Sequence, residues 1–378
     1  MIKKINNRIV SLALVIFIFT LTTFAEDVNL KSPTLAKQEV NVWVKIHQQK
    51  KGDTLTFQRQ AHGGSCFDSK RGQLVLFGSN THGKEFTNSP LLYDVFKNEW
   101  SRMYPNDAFE TYTVTDVGLP VCGANADHPW AIHTFGTVNF DASRDEMVVA
   151  CFDDHLVPGR FTSAFKTLWP QIKLKPTWTF NFEKKKWTPL PCEGVSFFPH
   201  STAYDSDRKV IIGYLGGKIY ELDGEPREWK QMAKGGAFGW HNNCAYDAKN
   251  KALVIFGSNE NSNDVGVYVT ANKEYKKMPT IGERPPKDQH NPMEYHPEIE
   301  KIVVLVDRTK AKDAAENDST ETWLYDLKKD EWSQIKTATL PFACGMNYNM
   351  EYDPNNNALL LVTETSGGTS VWALKLTK

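Results

Sequence analysis

A short pattern centred on an aromatic residue recurs six times along the chain, and it restricts the possible folds more than any other feature. In each copy the aromatic residue is followed by Asp or His, a polar turn and an apolar segment, most clearly over residues 239–258. Alternating residues before the turn indicate a half-buried strand, and the apolar run after it indicates a fully buried one. The six anchor pairs are Phe67-Asp68, Phe140-Asp141, Tyr204-Asp205, Tyr246-Asp247, Tyr295-His296 and Tyr352-Asp353.

Each unit continues after its first strand with three further predicted strands. The second strands are predicted at residues 74–77, 147–151, 210–214, 253–256, 302–306 and 359–362. A third apolar segment follows, and a fourth opens with an aromatic residue in five copies: Trp100, Trp187, Trp229, Tyr275 and Trp332. Four strands per unit, with anchors 42 to 73 residues apart, predict an all-β chain of propeller blades.

The two ends of the chain supply complementary parts of one blade. The sixth unit ends with its third strand, at residues 370–376, and an isolated strand over residues 40–47 precedes the first unit. We expect residues 42–45 to complete the sixth blade and to close the ring. The sequence therefore predicts a six-bladed β-propeller over residues 40–378, with seven blades as the alternative count.

The clearest copy resembles a known repeat. His241, Tyr246 and Asp247, followed by a strand that ends at Phe256-Gly257, resemble the kelch repeat. The resemblance covers nearly all of residues 40–378, although the double glycine of that repeat is in place only at Gly216-Gly217. It implies a divergent kelch-like propeller. It does not decide the function, because this fold carries both enzymes and binding proteins.

The N-terminus has the composition of an export signal. Lys3, Lys4 and Arg8 precede a short apolar run over residues 9–21, and small residues follow at Thr23 and Ala25. We predict a signal peptide over residues 1–25, a loose mature N-terminus over residues 26–39, and a periplasmic or secreted protein without a membrane span. The net charge of -1 argues against a nucleic-acid partner, and we expect a monomer.

The six cysteines do not have the spacing of a disulfide framework or of a metal motif. Cys66, Cys151 and Cys244 fall in predicted strands, where a thiol packs as a small apolar group. The other three, Cys122, Cys192 and Cys344, lie in connections, and pairing or metal binding by them stays open. No CxxC or HExxH spacing occurs, so the sequence predicts neither a metal nor a cofactor.

The kelch resemblance implies that residues just before each anchor stand at the mouth of the central channel. In this chain they are His62, His133, His200, His241, His290 and, in the sixth unit, Asn347 and Tyr348. Histidine five residues before the anchor is common in kelch repeats, so His62, His241 and His290 also have a purely structural interpretation. His133 and His200 are displaced from that position, which favours a functional role.

Two long insertions lie next to these histidines. The connection over residues 105–130 separates the first two units, and the one over residues 153–175 contains His155, Arg160 and a short helix predicted at residues 162–169, ended by Pro170. We expect both on the functional face beside His133, because long ordered loops in compact domains are usually functional.

A channel rich in histidine, with an arginine and aromatic residues at its rim, suggests an anionic saccharide as the substrate. We predict elimination next to a uronic-acid carboxylate, with His133 as base, Arg160 as carboxylate partner, and His200 or His241 as acid or orienting group. The predicted substrate-binding residues are His62, His290, Tyr348, Asn347 and His155. This arrangement resembles propeller polysaccharide lyases that act on ulvan-type polymers, and loss of water in place of a sugar would make the protein a uronate dehydratase.

Three alternatives remain open at this point. A non-catalytic propeller would bind carbohydrate or protein through the same face. A glycoside hydrolase needs two carboxylates flanking the bond, and none of the loop acids Asp127, Asp153, Asp154, Asp288 and Asp307 stands out. For a copper oxidase the residue types exist, but no spacing selects them.

Overall fold

Each sequence repeat forms one four-stranded antiparallel sheet, and six such sheets build the molecule. The computed structural model describes residues 30–50, 63–81, 86–160, 162–190, 194–236, 239–258, 264–279, 282–286, 291–308, 319–344, 349–365 and 368–378. The innermost strands contact their neighbours in a closed ring, so the fold is a six-bladed β-propeller, as predicted.

The strands are numbered in chain order and are grouped here by their position in the blade. The innermost strands are β2 (Gly64–Asp68), β8 (Val138–Asp141), β12 (Ser201–Asp205), β16 (Asn243–Asp247), β20 (Met293–His296) and β24 (Asn349–Asp353). The second strands are β3 (Gln73–Phe77), β9 (Glu146–Val149), β13 (Val210–Leu215), β17 (Ala252–Phe256), β21 (Lys301–Asp307) and β25 (Ala358–Thr365). The third strands are β4 (Leu91–Asp94), β10 (Thr177–Asn181), β14 (Lys218–Asp223), β18 (Val265–Val269), β22 (Thr320–Asp326) and β26 (Gly368–Leu374). The outermost strands are β5 (Glu99–Arg102), β11 (Lys186–Leu190), β15 (Glu228–Lys234), β19 (Glu274–Met278), β23 (Glu331–Leu340) and β1 (Trp43–Gln48).

In five of the six anchor pairs the second residue is an aspartate at the turn between the first two strands. Asp68 Oδ1, for example, accepts the backbone N–H groups of Lys70 and Arg71 at 3.0 and 3.1 Å. The anchor aspartates are buried, and a buried carboxylate that accepts turn amides fixes the turn geometry. His296 takes this place in the fifth blade, where burial lowers its pKa to about 4. The repeated pattern is therefore largely architectural.

The ring is closed by joining the two ends of the chain, as predicted. Strand β1 pairs with β26, with Trp43 opposite Leu374. The Trp43 side chain is buried, and its indole N–H donates to Thr322 Oγ1 of the fifth blade at 2.9 Å. The first described strand of the chain therefore belongs to the last blade and also contacts the fifth blade.

The segment before β1 packs against the ring. Residues Pro33–Ala36 form a single turn of α-helix, and Leu35 within it is fully buried. The backbone N–H of Ser32 donates to Asn356 Oδ1 at 2.7 Å. This part of the segment that we expected to be loose is thus attached to the sixth blade. The predicted signal peptide lies outside the described residues.

The two long insertions pack against each other, as expected. The first contains a 3-10 helix (Phe109–Thr111) and a small hairpin, β6 (Thr113–Val114) and β7 (Pro120–Val121). Trp130 from the first insertion stacks on Phe165 of the second, with ring centroids 4.6 Å apart. The backbone N–H of Lys173 donates to Gly118 O at 2.9 Å. Together they form one apolar layer.

The prediction of a helix at residues 162–169 is wrong. The described part of this stretch consists of turns, and a 3-10 helix over Trp169–Gln171 follows. Eight residues are too few for a helix to be stable by itself, so tertiary contacts decide the backbone. Phe165 is fully buried in the layer with Trp130, and its insertion there fixes the chain as a series of turns.

The described cysteines are buried: Cys66, Cys122, Cys151, Cys244 and Cys344. Cys66 and Cys244 lie on innermost strands, as predicted, whereas Cys151 lies just after β9. Among the residues that the structure describes, no helix has both the length and the apolar character that crossing a membrane requires.

Candidate functional site

Four histidines meet at one end of the central channel. His133, His200 and His241 come just before the innermost strands of blades two, three and four, which are β8, β12 and β16. His155 follows β9 instead. Because β9 runs antiparallel to β8, the end of β9 lies beside the start of β8. These four residues, from three neighbouring blades, are called the histidine cluster below.

Two phenylalanine rings connect the members of the cluster. The Phe198 ring lies 4.9 Å from that of His155 and 6.0 Å from that of His133, between centroids. The Phe135 ring lies 6.1 Å from both His133 and His241. The two phenylalanine rings stack at 5.5 Å. The imidazoles are therefore held in a rigid and largely apolar setting.

Asp153 organises the inner part of the cluster. Its carboxylate is fully buried and accepts the backbone N–H groups of His155 and His133 at 2.7 and 3.0 Å, the Thr81 hydroxyl at 3.3 Å, and the ring Nδ1 of His155. Burial raises the pKa of Asp153, but the hydrogen bond from His155 and the nearby imidazoles outweigh it and hold the pKa below its usual range. Asp153 is therefore an ionised acceptor.

His133 and His155 face each other across this carboxylate. Their ring centroids are 4.4 Å apart, and His133 Nδ1 lies 3.8 Å from Asp153 Oδ2. His133 has no exposed surface, and His155 is 6% exposed. One donor atom from each of the three residues lies within 4.8 Å of the others, so the trio can hold a metal ion.

His200 is held in a defined tautomer. Asn242 Nδ2 donates to Gly257 O at 2.5 Å, which directs the amide oxygen of Asn242 toward His200 Nδ1 at 3.0 Å. Nδ1 therefore carries the proton, and Nε2 presents a lone pair. Burial lowers the pKa of His200, which keeps the ring neutral near pH 7.

His241 is the most exposed member of the cluster. Its backbone lies in the left-handed region with φ of 65°, and its N–H donates to Pro199 O at 3.2 Å. Burial, and then the charges of His200 and His155, lower the pKa of His241. The preceding residue, Trp240, is 61% exposed. The outer part of the site therefore carries the partly exposed His241, preceded in sequence by an exposed tryptophan.

The remaining predicted site residues lie elsewhere or outside the described residues. Arg160 lies on the loop that follows His155, is 44% exposed, and pairs with Asp154 at 2.5 Å. Its charge is thus engaged by a neighbouring acid at the surface. The remaining four, His62, His290, Asn347 and Tyr348, lie outside the described residues.

Comparison with known proteins does not assign this chain to a family. No protein-family model matches the chain, and no curated protein is significantly similar to it. The fold is established by the strand topology, and the functional argument starts from the histidine cluster.

The sequence interpretation missed a pair of glutamates in the central channel. A cavity of about 390 Å³ inside the ring of innermost strands is lined by Glu294 and Glu351, and also by Phe135 of the histidine site. Burial raises the pKa of Glu294 to about 7, and burial together with the charge of Glu294 raises that of Glu351. Glu351 Oε1 accepts the hydroxyl of Ser65 at 2.5 Å. The available signal was a glutamate directly before the anchor tyrosine in blades five and six.

Asp153 was also missed as the partner of the histidines, since it was one of several loop acids. The signal was its spacing from His155, with one residue between them. A short Asp-x-His spacing is common by chance, so only the fold shows that both side chains face His133.

Proposed function

We propose that this protein is an exported carbon–oxygen lyase that acts on uronic-acid-containing saccharides by β-elimination. The observation that carries the proposal is the convergence of four histidines from three blades on one end of the channel, with Asp153 fixing two of them. Convergent titratable groups are typical of sites that transfer protons.

His241 is the group best placed to meet a substrate. It is the most exposed of the four histidines, whereas His133, the base expected from the sequence, has no exposed surface. We therefore assign proton abstraction to His241 and a positioning role to His200, whose ring is fixed by Asn242. His133 and His155 then form the inner wall of the site with Asp153.

The reaction needs one proton acceptor and one cation. His241 takes the proton from the carbon next to the carboxylate, the electrons of that C–H bond form a C=C bond, and the adjacent C–O bond breaks. The imidazolium of His241 returns the proton to the departing oxygen. A cation near the carboxylate acidifies the C–H bond, and we propose that Arg160, on the loop after His155, takes this role by exchanging Asp154 for the substrate carboxylate.

The surroundings of His241 support a saccharide as the substrate. The exposed indole of Trp240 offers a flat apolar face with a polar N–H, which suits a sugar ring. The insertion over residues 153–175, which carries His155, borders the cluster on the side of blade two. We propose that a polymer or an oligosaccharide lies along this insertion with one residue over His241.

The propeller itself is proposed to be a divergent kelch type. The spacing of His241, Tyr246 and Asp247 supports this, as do the buried anchor aspartates. The chemistry resembles that of propeller lyases acting on ulvan-type polymers. Release of water in place of a sugar would make the same site a uronate dehydratase.

A second candidate function is saccharide binding without catalysis, which the exposure of Trp240 supports equally well. A glycoside hydrolase is a weaker candidate, supported by the channel glutamates Glu294 and Glu351. Both alternatives lack a use for the histidine cluster.

Incubation with a panel of uronate-containing oligosaccharides tests the proposal. Elimination creates a conjugated C=C bond, so ultraviolet absorbance should rise with the native protein and should not rise with His241→Ala. His47→Gln is the matched control, because His47 lies on the outermost strand β1 and contacts Asn98. Reducing sugar released without any rise in absorbance would favour the hydrolase. Retardation in affinity gels without product would favour the binding protein.

A further inference from the structure

We infer that His133, Asp153 and His155 form a binding site for a divalent transition-metal ion, and that Zn²⁺ fits this donor set. The inference is independent of the lyase activity proposed above, because it rests on the geometry of these three residues alone. The sequence contains no metal motif around them and predicted no metal.

The donors are brought together by one hairpin. Val138 of β8 pairs with Val149 of β9, so the residue before the hairpin, His133, meets those after it, Asp153 and His155. One donor atom from each residue lies within 4.8 Å of the other two. In a tetrahedral site with bonds of about 2.1 Å the donors lie about 3.4 Å apart, so small side-chain rotations suffice to close the site.

The charge of the site also favours a cation. A buried carboxylate that accepts four hydrogen bonds is held in its ionised form. Within the described part of the chain, only the imidazoles of His133 and His155 lie within ion-pair distance of Asp153, and no lysine or arginine does. A buried charge requires a compensating charge or a metal. A metal ion between the two imidazoles supplies that compensating charge.

The surroundings hold the donors in place before any ion binds. Thr81 and two backbone amides orient the carboxylate of Asp153. His155 lies on a 3-10 helix (Asp154–Leu156) whose Leu156 is buried in the insertion layer, and the Phe198 ring packs against its imidazole. Such outer contacts are what fixes ligand orientation in metal sites.

The donor set indicates the class of ion. Two imidazole nitrogens and one carboxylate suit Zn²⁺ and neighbouring transition metals, whereas Mg²⁺ and Ca²⁺ prefer oxygen donors. Three protein ligands leave a coordination position open, as in catalytic zinc sites.

Metal binding is measured without substrate, so its outcome is separate from that of the activity assay. Protein stripped with a chelator is titrated with Zn²⁺ by calorimetry and with Co²⁺ by visible absorption, whose d–d bands report nitrogen and oxygen ligands. We expect one equivalent to bind and the melting temperature to rise. His155→Gln and Asp153→Asn should weaken binding at least 10-fold to 100-fold. The adjacent acid provides the matched control, because Asp154 is 57% exposed and Asp154→Asn should bind as the native protein does.

Two results would overturn the inference. One is the absence of stoichiometric binding in the native protein. The other is binding that His155→Gln leaves unchanged. Should Asp153→Asn fail to fold, Thr81→Val replaces it, since this change removes one hydrogen bond to the carboxylate and keeps the side-chain volume. Thr81→Val should bind Zn²⁺ several-fold more weakly, and unchanged affinity would count against a role for Asp153 as ligand.

Discussion

Asp153 accepts two hydrogen bonds from a single residue, His155, one from its backbone N–H at 2.7 Å and one from its ring Nδ1. The same carboxylate accepts the backbone N–H of His133 at 3.0 Å. One acid thus fixes the loop, the ring of His155 and the backbone of His133, and this arrangement ties the geometry of the site to the stability of the insertion.

Replacing Asp153 by Asn should therefore affect both properties. An amide keeps one acceptor oxygen and loses the charge, so the hydrogen bonds from His155 and His133 weaken. We expect the free energy of unfolding to fall by about 1–3 kcal/mol and activity to fall by at least about 100-fold. Chemical denaturation and the absorbance assay measure the two effects. Asp154→Asn should leave the stability within about 0.5 kcal/mol of the native value, since Asp154 is exposed.

Trp240→Ala should affect substrate binding and little else. The indole is 61% exposed, so its removal costs little folding energy, but it takes away the apolar face that we propose for the sugar ring. We expect KM to rise about 10-fold, corresponding to about 1.4 kcal/mol, with kcat and Tm nearly unchanged. Phe96→Ala removes another exposed aromatic ring, 45% exposed and close to β4, and should change neither constant. Equal KM values for the two variants would exclude Trp240 from the substrate site.

Closure of the ring should depend on Trp43. Its side chain is 5% exposed, packs in the core between blades five and six, and donates to Thr322 Oγ1. Trp43→Ala should lower the free energy of unfolding by about 3–5 kcal/mol, as for other large buried side chains. The control is Val44→Ala on the same strand, whose side chain is only half-buried and which should cost clearly less. Similar losses would mean that strand β1 contributes little to closure.

The pH dependence of stability should show two opposing slopes from one strand, β20. Burial raises the pKa of Glu294 from 4.5 to about 7. Between these two pH values the native state holds a proton that the unfolded state has lost, so the free energy of unfolding falls as pH rises. Burial lowers the pKa of His296 from 6.5 to about 4. Between these two pH values the unfolded state binds a proton that the native state does not, so the free energy of unfolding rises with pH.

Single substitutions should separate these slopes. Glu294→Gln removes the falling contribution and also the charge that raises the pKa of Glu351, so stability should increase more steeply from pH 4.5 to 6.5 than in the native protein. His296→Asn should make stability decrease over the same window. Each change should be on the order of 2 kcal/mol across the window, with water in the channel reducing the Glu294 effect. Parallel profiles for native protein and both variants would contradict this account.

The sequence predicts the scaffold well because the repeat is an architectural pattern. Anchor acids such as Asp68 and Asp353 appear in the sequence for the same reason that they are buried in the turns, namely to accept turn amides. Strand β1 is recognised as the missing strand of blade six because strand counting leaves no other place for it.

The sequence predicts some residues of the candidate site but not the contacts between them. His133, His200 and His241 are found by their positions before the anchors, but their contacts depend on how the insertions pack. Asp153 becomes their partner only when the hairpin of β8 and β9 brings residues 133 and 153 together. The predicted helix at residues 162–169 fails for the same reason, because burial of Phe165 against Trp130 outweighs local helix preference. The charge of Arg160 makes it a candidate carboxylate partner in the sequence, but the spacing does not predict its ion pair with Asp154.

The most direct test of the central claim is the ultraviolet absorbance of native protein and His241→Ala incubated with the same uronate-containing oligosaccharides. A conjugated double bond should form with the native protein at a rate proportional to enzyme concentration, and His241→Ala should lose at least about 100-fold of that rate. No absorbance change with any substrate, or an undiminished rate in His241→Ala, would contradict the assignment of this face as a lyase site.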